Sequence, residues 1–494
     1  MKCFLGVDVG TYETKGVITD TQGRIVAQSS RAHQMLVPQP GWAEHRAEED
    51  WWGDVVHVTK AMLAQSRIDP KSIAAIGCSA IGPCMLPVDR DGTPLMNAVL
   101  YGVDTRATSE IADLNALIGE DTILAQCRNA LSAQAAGPKI LWLKRNRPEI
   151  YARTHKVLNS TSFIVHRLTG AFTIDHYSAG NATPFYLPDK LGWSDELAPG
   201  LIDIGLMPDL HWTTDIVGQV TKVAADATGL AVGTPVIAGT IDAAAEAVSV
   251  GVTDPGHMMM MYGSTIFIIE ITAEAISDKR LWYGPWLFPG QHAAMAGVST
   301  AGTLTHWLRR LTAGGLDSGE AIRILNTEAE ASPPGANGLV VLPYFSGALT
   351  PLFDPKAKGL ISGLDLTHTR GDLFRASLEG IAQATRHILE TYAAAGQRPR
   401  SIYAVGGGTK SKVWSQATSD TCNQVQKLRE KTWGASFGDA FLAALALGEV
   451  KPGDMAHWNP VAAEIKPDPA TREVYDRQYT VFRGLYEAAR RLQG

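Results

Sequence analysis

Residues 3–20, CFLGVDVGTYETKGVITD, form an apolar run that is broken by a short polar turn and then resumes. Asp8 stands near the end of the first run, and Gly10 and Thr11 mark the turn. Apolar runs on both sides of such a turn predict a β-hairpin. After a further turn signal, a strand-like stretch at 24–27 extends the hairpin into a three-stranded meander.

The same pattern recurs at 257–271, HMMMMYGSTIFIIEI, where Gly263 takes the place of Gly10. These two glycines stand about half the chain length apart. Two similar hairpins at this separation predict two lobes of related architecture. We expect an N-terminal lobe over residues 1–252 and a C-terminal lobe over residues 253–494.

The segments that follow the first hairpin alternate between the two kinds of secondary structure. A helix is predicted over 47–65, with three acidic residues in its first turn, where they favour the helix dipole. A buried strand is predicted over 73–78, and a charged closing helix is predicted after Ala470. Alternating helices and strands predict an α/β fold.

Composition excludes several classes of protein. With 494 residues, 45% hydrophobic and 19% charged, the chain is not disordered. A net charge of −6 without a basic stripe argues against a nucleic-acid partner. Five scattered cysteines without CxxC spacing favour a reducing compartment over a zinc or disulfide framework. No apolar run reaches membrane-span length and no signal-peptide core is present, so we expect a cytoplasmic protein without a membrane partner.

Glycine is enriched, with 48 residues that cluster after apolar runs. In the first hairpin, the turn at Gly10 and Thr11 can present backbone N–H groups to a phosphate, while Asp8 holds Mg²⁺ directly or through water. An ordinary hairpin turn is the alternative. Lys15 could meet a terminal phosphate or lie at the surface.

Asp242 follows the apolar run 235–238 and the turn at Gly239, and a helix is predicted to begin beside it. It is either an N-cap residue or a general base at the carboxyl end of a strand. The sequence GGGT at 406–409 follows a strand-like run and suits a nucleotide over a helix N-terminus, with a flexible linker as the alternative. Neither P-loop, dinucleotide nor metallohydrolase motifs occur.

Taken in order, these segments resemble the FGGY carbohydrate kinases, from residue 3 to about residue 450. The segments that carry the resemblance are GVDVGTYETKGVITD at 6–20, GWAEHRAEEDWW at 41–52, DTRA at 104–107, GTIDAAAEAVSVG at 239–251, YGST at 262–265, FSGALTPLFDPKAKGLISGLDLTHTRGDLFRASLEGIA at 345–382 and GGGTKSKVW at 406–414. The resemblance implies a two-lobed actin/hexokinase-like (ribonuclease H-like) ATPase fold with a cleft between the lobes. It also implies ATP and Mg²⁺ as cofactors.

The resemblance further implies roles for individual residues. Asp242 matches the catalytic base, and Asp8 matches the position on the Mg²⁺ side. The implied nucleotide-binding positions are Asp8, Gly10 and Thr11 in the first phosphate motif, Lys15 near the γ-phosphate, Gly263 and Ser264 in the second phosphate motif, Gly302 close to the phosphates, and Gly407, Gly408 and Ser411 in the adenosine motif.

The sugar side departs from the better-known branches of the family. Xylulokinase-like members carry a Met-His pair after the strand at 73–78 and glycerol kinases carry Arg-Glu, whereas this chain has SAIGPC at 79–84. The Trp-Asn pair that commonly precedes Asp104 is missing as well. The candidate substrate contacts are Ile81, Gly82, Tyr101, Asp104 and Asp242. Other polar or aromatic residues on this side are Trp42, Glu44, Arg106 and Asn181.

Three of these residues have alternative interpretations, because Asp104 and Arg106 could form a structural ion pair and Trp42 could fill the core. We expect an ATP-dependent kinase of a small ketose or polyol, with a pentulose such as xylulose as the first choice. Glycerol, erythritol, ribulose and a deoxyketose are alternative substrates, and an actin-like ATPase without sugar transfer is an alternative activity. The expected partner is a small-molecule sugar or polyol, and a homodimer is left open.

Overall fold

The computed structural model describes residues 2–493 and contains two seven-stranded sheets. The strands of the first sheet are β1 (Cys3–Val9), β2 (Glu13–Asp20), β3 (Ile25–Ala32), β4 (Ile73–Ala80), β5 (Ile216–Gln219), β6 (Pro235–Ile237) and β7 (Thr240–Ile241). Those of the second are β8 (His257–Tyr262), β9 (Ile266–Thr272), β10 (Trp282–Pro285), β11 (His292–Val298), β12 (Ser401–Val405), β13 (Gln426–Arg429) and β14 (Val461–Ile465).

Sixteen α-helices occur in the described part of the chain. They are α1 (Gly53–Ser66), α2 (Thr108–Ile118), α3 (Glu120–Cys127), α4 (Ala136–Asn146), α5 (Pro148–Arg153), α6 (Ser160–Thr169), α7 (His176–Ala179), α8 (Lys222–Thr228), α9 (Asp242–Ser249), α10 (Gly302–Ala313), α11 (Ser318–Ala331), α12 (Arg370–Ala394), α13 (Lys412–Cys422), α14 (Ala435–Ala446), α15 (Met455–Trp458) and α16 (Arg472–Gln493). None of the helices described is both long and apolar enough to cross a membrane.

The two sheets share one plan. In the first, β1, β2 and β3 form an antiparallel meander, and β4 pairs with β1 in parallel. In the second, β8, β9 and β11 form the corresponding meander, and β12 pairs with β8 in parallel. The strand orders are β5-β6-β4-β1-β2-β3, with β7 beside β4, and β10-β11-β9-β8-β12-β13-β14. The predicted repeat of the opening hairpin is therefore confirmed.

Helices α9 and α14 fill the space between the sheets. One buried cluster contains Phe4 of the first sheet, Met259 of the second, and apolar residues of both helices. Helix α14 lies so close to the first sheet that a Cβ on Gly6 would stand 1.9 Å from the Ser436 carbonyl oxygen, and one on Gly77 would stand 2.2 Å from that of Asp439. A helix from the second half of the chain thus packs against the sheet of the first half.

The helix predicted over 47–65 differs from the structure in detail, because it begins as a π-helical turn, Ala47–Trp52, before α1 starts. In this turn the N–H of Gly53 bonds the carbonyl of Glu48, five residues back, and Trp51 is fully buried. The closing helix predicted after Ala470 is α16.

Five short two-stranded pairs complete the described strands; they join Glu44–His45 to Ala98–Val99, Leu86–Val88 to Lys156–Leu158, Thr173–Asp175 to Asp209–His211, Tyr186–Leu187 to Gly192–Trp193 and Val340–Leu342 to Leu360–Ser362.

Candidate active site

The first hairpin turn joins β1 to β2 over three residues. The N–H of Gly10 donates to the carbonyl of Glu13 at 2.9 Å, which closes the turn. Asp8 stands directly opposite Lys15 in the strand register. The hydroxyl of Thr11 lies 3.1 Å from that of Tyr101, so the turn is linked to the loop that follows Ala98–Val99. The predicted first phosphate motif and Tyr101 are therefore neighbours.

A cluster of acidic side chains lies behind this turn. Asp8 is the penultimate residue of β1, Asp242 and Glu246 stand one helical turn apart on α9, and Asp439 belongs to α14. The Ser79 hydroxyl on β4 donates to Asp439 Oδ2 at 2.7 Å and lies 3.4 Å from Asp8 Oδ1. Asp439 is fully buried, whereas Asp8, Asp242 and Glu246 keep part of their surface accessible.

The pKa values of these carboxyl groups are raised. Removal from water raises the pKa of Asp8 well above its usual range, and the charges of Asp242 and Glu246 raise it further, while Lys15 opposes the shift. Desolvation also raises the pKa of Asp242 to about 6, although one hydrogen bond from the N–H of Ala243 lowers it. The pKa of Glu246 is raised to about 7 for the same reason, with Lys15 opposing. Burial and the neighbouring Asp8 raise the pKa of Asp439.

Several like charges held together away from water favour either protonation or a nearby cation. Oδ1 of Asp439 is buried and has no hydrogen-bond partner, so the cluster has unused capacity for a cation. Yet no group of three His, Cys, Asp or Glu side chains between residues 2 and 493 is arranged to hold a metal by itself. This combination fits Mg²⁺, which is commonly bound by one or two carboxylates together with phosphate oxygens and water.

Asp242 is held at the end of a strand by contacts around the residues before it. The Thr240 hydroxyl donates to Asp175 Oδ2 at 2.8 Å, and the Thr161 hydroxyl donates to the carbonyl of Thr240 at 2.7 Å. Helix α9 begins at Asp242, and the N-cap position is taken by Ile241. The alternative that Asp242 is the N-cap residue is therefore wrong. Its carboxylate accepts only the N–H of Ala243, at 2.7 Å, which leaves acceptor capacity for a ligand.

The second hairpin turn, between β8 and β9, is held by the start of α10. The N–H groups of Ala301 and Thr303 donate to the carbonyl of Ser264 at 3.0 and 3.2 Å, and the N–H of Gly302 donates to the carbonyl of Gly263 at 3.0 Å. A Cβ on Gly302 would stand 2.6 Å from the Gly263 oxygen, so this approach requires glycine.

The triple-glycine segment lies against the second turn. A Cβ on Gly406 would stand 2.6 Å from the carbonyl oxygen of Tyr262, and one on Gly408 would stand 2.5 Å from the ring of Trp414. Gly407 has open space where a side chain would be. Ser411 is the N-cap residue of α13 and accepts the N–H of Trp414. The linker alternative is wrong, because this segment is a packed turn between β12 and α13.

The predicted nucleotide-binding residues therefore form two groups. Asp8, Gly10, Thr11 and Lys15 belong to the first hairpin, and the others are packed around the second turn; they are Gly263, Ser264, Gly302, Gly407, Gly408 and Ser411. Among residues 2–493, no hydrogen bond joins one turn to the other.

On the sugar side, Asp104 and Arg106 form a buried ion pair. Arg106 contacts Asp104 at 2.8 Å and Glu44 at 2.9 Å, and its guanidinium lies 3.8 Å from the ring centre of Trp42. Asp104 also accepts the N–H of Ala43 at 2.7 Å. The structural alternative for this pair is thereby supported, and a sugar contact from Asp104 stays a prediction.

The segment after β4 offers a sugar little hydrogen bonding. The N–H of Ile81 donates to the Val9 carbonyl at 2.8 Å, and its own carbonyl accepts the hydroxyl of Ser160. The Ile81 side chain is buried in the core, and a substrate contact from Ile81 stays a prediction. A Cβ on Gly82 would stand 2.7 Å from the side chain of Ile241, beside the proposed base.

Tyr101 is the predicted substrate contact that the structure places closest to the first turn. Lys139 is fully buried and donates to the carbonyls of Leu100 and Tyr101 at 2.7 and 2.9 Å, which fixes the loop. Burial lowers the pKa of Lys139 to about 8. Burial raises the pKa of Tyr101, and the charge of Asp242 contributes to this rise, so the two side chains belong to one electrostatic environment.

Sequence reasoning missed several residues of the site. Glu246 could have been found, because it stands four residues after Asp242 on the same helix face. Asp439 is a lone carboxylate in an otherwise apolar helix, ASFGDAFLAALA, which also indicates a special environment. No comparable sequence pattern marks Ser79 or Asp175, because their importance depends on long-range contacts.

Two lobes of similar plan, each with a glycine turn and with acidic side chains beside one of them, define a two-lobed phosphotransferase of the actin/hexokinase-like fold. The chain matches the FGGY family of carbohydrate kinases, N-terminal domain, over residues 3–249 and C-terminal domain over residues 258–447. It belongs to this family and is a carbohydrate kinase of xylulokinase-like type.

Individual relatives agree with the family. The chain is 28% identical to a xylulose kinase from Bacillus subtilis (strain 168), over 91% of this chain and 89% of that protein. It is also 28% identical to a glycerol kinase from Thermococcus gammatolerans, over 90% of this chain and 89% of that protein. The crystal structure of xylulose kinase from Rhodospirillum rubrum superimposes with a TM-score of 0.92 at 31% identity, covering 100% of both chains.

Proposed function

We propose that this chain transfers the γ-phosphoryl group of ATP to a hydroxyl of a small ketose, with a pentulose such as xylulose as the first candidate and Asp242 as the general base. The observation that carries the proposal is the environment of the Asp242 carboxylate. Its carboxylate has one hydrogen bond, remains partly accessible and has a pKa raised to about 6. A carboxylate of that kind can accept a proton near neutral pH.

The predicted nucleotide site combines the two turns. ATP would lie between the lobes, with its phosphates between the turn at Gly10 and that at Gly263 and its adenosine beside Gly407. Lys15, opposite Asp8 in the hairpin, would approach the γ-phosphate. Asp8 would hold Mg²⁺, which when bound would offset phosphate charge. Backbone N–H groups and fixed charges serve phosphoryl transfer well, because its transition state needs stabilisation and positioning more than covalent help.

In this arrangement Asp242 takes the proton of the sugar hydroxyl, and the hydroxyl oxygen attacks the γ-phosphorus in line with the leaving ADP. The contacts of Thr240 with Asp175 and Thr161 hold the strand before the base, so the carboxylate keeps one direction. Closure of the lobes would exclude water, since otherwise the enzyme would hydrolyse ATP.

One observation favours a second candidate substrate. Neither Gly82 nor Pro83 has a side-chain donor, and the polar groups of Ile81 are used within the protein. An acceptor with fewer hydroxyl groups to match, such as glycerol, erythritol or a deoxyketose, would lose less binding free energy at such a site. The similarity to a glycerol kinase supports the same candidate.

The test is ADP release from ATP with each of a panel of acceptors: xylulose, ribulose, 1-deoxyxylulose, erythritol, glycerol and no sugar. We expect strong dependence on one acceptor, with xylulose giving the highest kcat/KM. A higher value with a deoxyketose or polyol would favour the second candidate. An equal rate with and without every acceptor would instead indicate an ATPase. The lobe boundary between residues 252 and 253, a cytoplasmic location and a homodimer stay predictions, the last to be checked by light scattering.

A further inference from the structure

His33 lies beneath the first hairpin turn, in the segment after β3. Its side chain is only 4% exposed. Its Nδ1 is 2.8 Å from Asp54 Oδ2 on α1, and its Nε2 is 3.0 Å from the carbonyl oxygen of Gly10. In addition, the backbone N–H of His33 donates to the carbonyl of Tyr12 at 2.9 Å. One residue thus contacts the turn at two points.

The partners of the ring hold its orientation. A backbone carbonyl only accepts, so Nε2 must carry a hydrogen to bond Gly10. Nδ1 faces the buried Asp54, which Arg31 contacts at 3.1 Å and to which the Thr14 hydroxyl donates at 3.3 Å. Both ring nitrogens are therefore engaged, one on α1 and one on the turn.

A neighbouring histidine is neutral. His45 packs edge to face on His33, with ring centres 5.0 Å apart. Its Nδ1 accepts the indole N–H of Trp51 at 2.9 Å, so His45 is neutral. Burial above all lowers the pKa of His45 to about 4, which agrees with this assignment. The two rings thus pack against each other next to the turn.

The bond to Gly10 sets the direction of a peptide group. In a trans peptide, the carbonyl oxygen of one residue and the amide hydrogen of the next point to opposite sides. With the Gly10 oxygen held toward His33, the N–H of Thr11 points away from His33 and out of the turn. Among the residues that the structure describes, that N–H donates to no protein acceptor, so it is free to bond a ligand.

We propose that His33, bridging Asp54 and Gly10, is a positioning residue that directs the Thr11 N–H toward a phosphate of ATP. This inference rests on the proposed function, which places ATP at the first turn. Charged and titratable groups near His33 are Arg31, His45, Arg46, Glu49, Asp50 and Asp54.

The test is calorimetric binding of ATP to the full-length protein and to the variants H33Q and H166Q. His166 is the matched control, because it too is a buried histidine near a backbone carbonyl in the first half of the chain, but it stacks on Phe172 away from the turn. We expect H33Q to weaken ATP binding about tenfold, as for the loss of one hydrogen bond, and H166Q to change it less than twofold.

The KM for the sugar separates positioning at the nucleotide from general damage to the structure, because damage to the fold would affect both substrates. The KM for the sugar should stay within twofold in H33Q.

Equal ATP affinity in H33Q and the wild type would overturn the inference. If the wild type binds no ATP, the proposed function fails instead. If thermal melting shows that H33Q is unfolded, D54N replaces it, because this substitution changes the group that contacts Nδ1 of His33. D54N should weaken ATP binding in the same direction, and unchanged affinity in folded D54N would contradict the inference.

Discussion

The two hairpin turns have the same strand plan but are held in different ways. Besides its backbone bonds, the first turn is held by side chains, through His33 below Gly10 and Tyr101 beside Thr11. The second turn is held mainly by backbone N–H groups at the start of α10, with the Thr303 hydroxyl also donating to the Ser264 carbonyl. One architecture, used twice, thus has one turn supported by side chains beside an acidic cluster and one supported by the first residues of a helix.

The largest effect is expected from the acidic cluster that only the first turn possesses. D242N keeps the shape of the side chain but removes the base, so kcat should fall by about 10²–10⁴-fold while ATP binding stays within threefold. Steady-state kinetics and calorimetry measure the two quantities. D317N is the control, since Asp317 is an exposed N-cap of α11 far along the chain. Near-normal kcat in D242N would show that another group is the base.

The second expected effect compares the steric tolerance of the turns. In G302A the new Cβ would stand 2.6 Å from a backbone oxygen of the second turn, whereas in G10A it would stand 3.0 Å from one in the first. We expect the KM for ATP to rise about tenfold in G302A and about threefold in G10A, because a backbone atom must move farther in the former. The reverse order would mean that the first turn is the more tightly built.

A third prediction separates ligand contact from packing in the triple-glycine segment. G407A adds a methyl group in open space, so the melting temperature should stay unchanged while ATP binding weakens about fivefold through contact with adenosine. G408A places its methyl 2.5 Å from Trp414 and should lower the melting temperature by several degrees, about 1–3 kcal/mol of overpacking. Unchanged ATP affinity in G407A would argue against adenosine at this position.

Glu246 belongs to the acidic cluster that only the first turn possesses. Its raised pKa predicts how the stability of the protein depends on pH. Its pKa of about 7 in the folded protein lies above the usual 4.5, so the folded state binds the proton more tightly than the unfolded state. The free energy of unfolding of ATP-free protein should therefore fall as pH rises from about 4.5 to about 7. Denaturation of E246Q should show a smaller slope in this window, and an identical slope would contradict the raised pKa.

The smallest effect is expected from the link between the sugar side and the first turn. Y101F removes the hydrogen bond to Thr11, which contributes about 1 kcal/mol, so the KM values for ATP and for the sugar should each rise roughly fivefold or less. Y12F is the control, because Tyr12 is 60% exposed in the same turn. A change in the KM for the sugar alone would show that Tyr101 acts only on the acceptor.

Much of the fold could be predicted from sequence, because both hairpins and the strand before Gly406 are encoded by local apolar runs and turns. The packing of α14 on the first sheet could not, since it joins Ser79 to Asp439 across 360 positions. His33 was likewise missed. His33 follows β3, whose second half is largely exposed. Its burial depends on α1 and on the turn that His33 supports.

The central claim is that this chain transfers phosphate to a sugar with Asp242 as the base. The most direct measurement follows ADP and sugar phosphate together, by ³¹P NMR, in reactions of wild type and D242N with ATP and the best acceptor. We predict that the wild type forms the two products in a one-to-one ratio and that D242N forms neither at a comparable rate. Release of ADP without sugar phosphate, or equal product formation by D242N, would contradict the account.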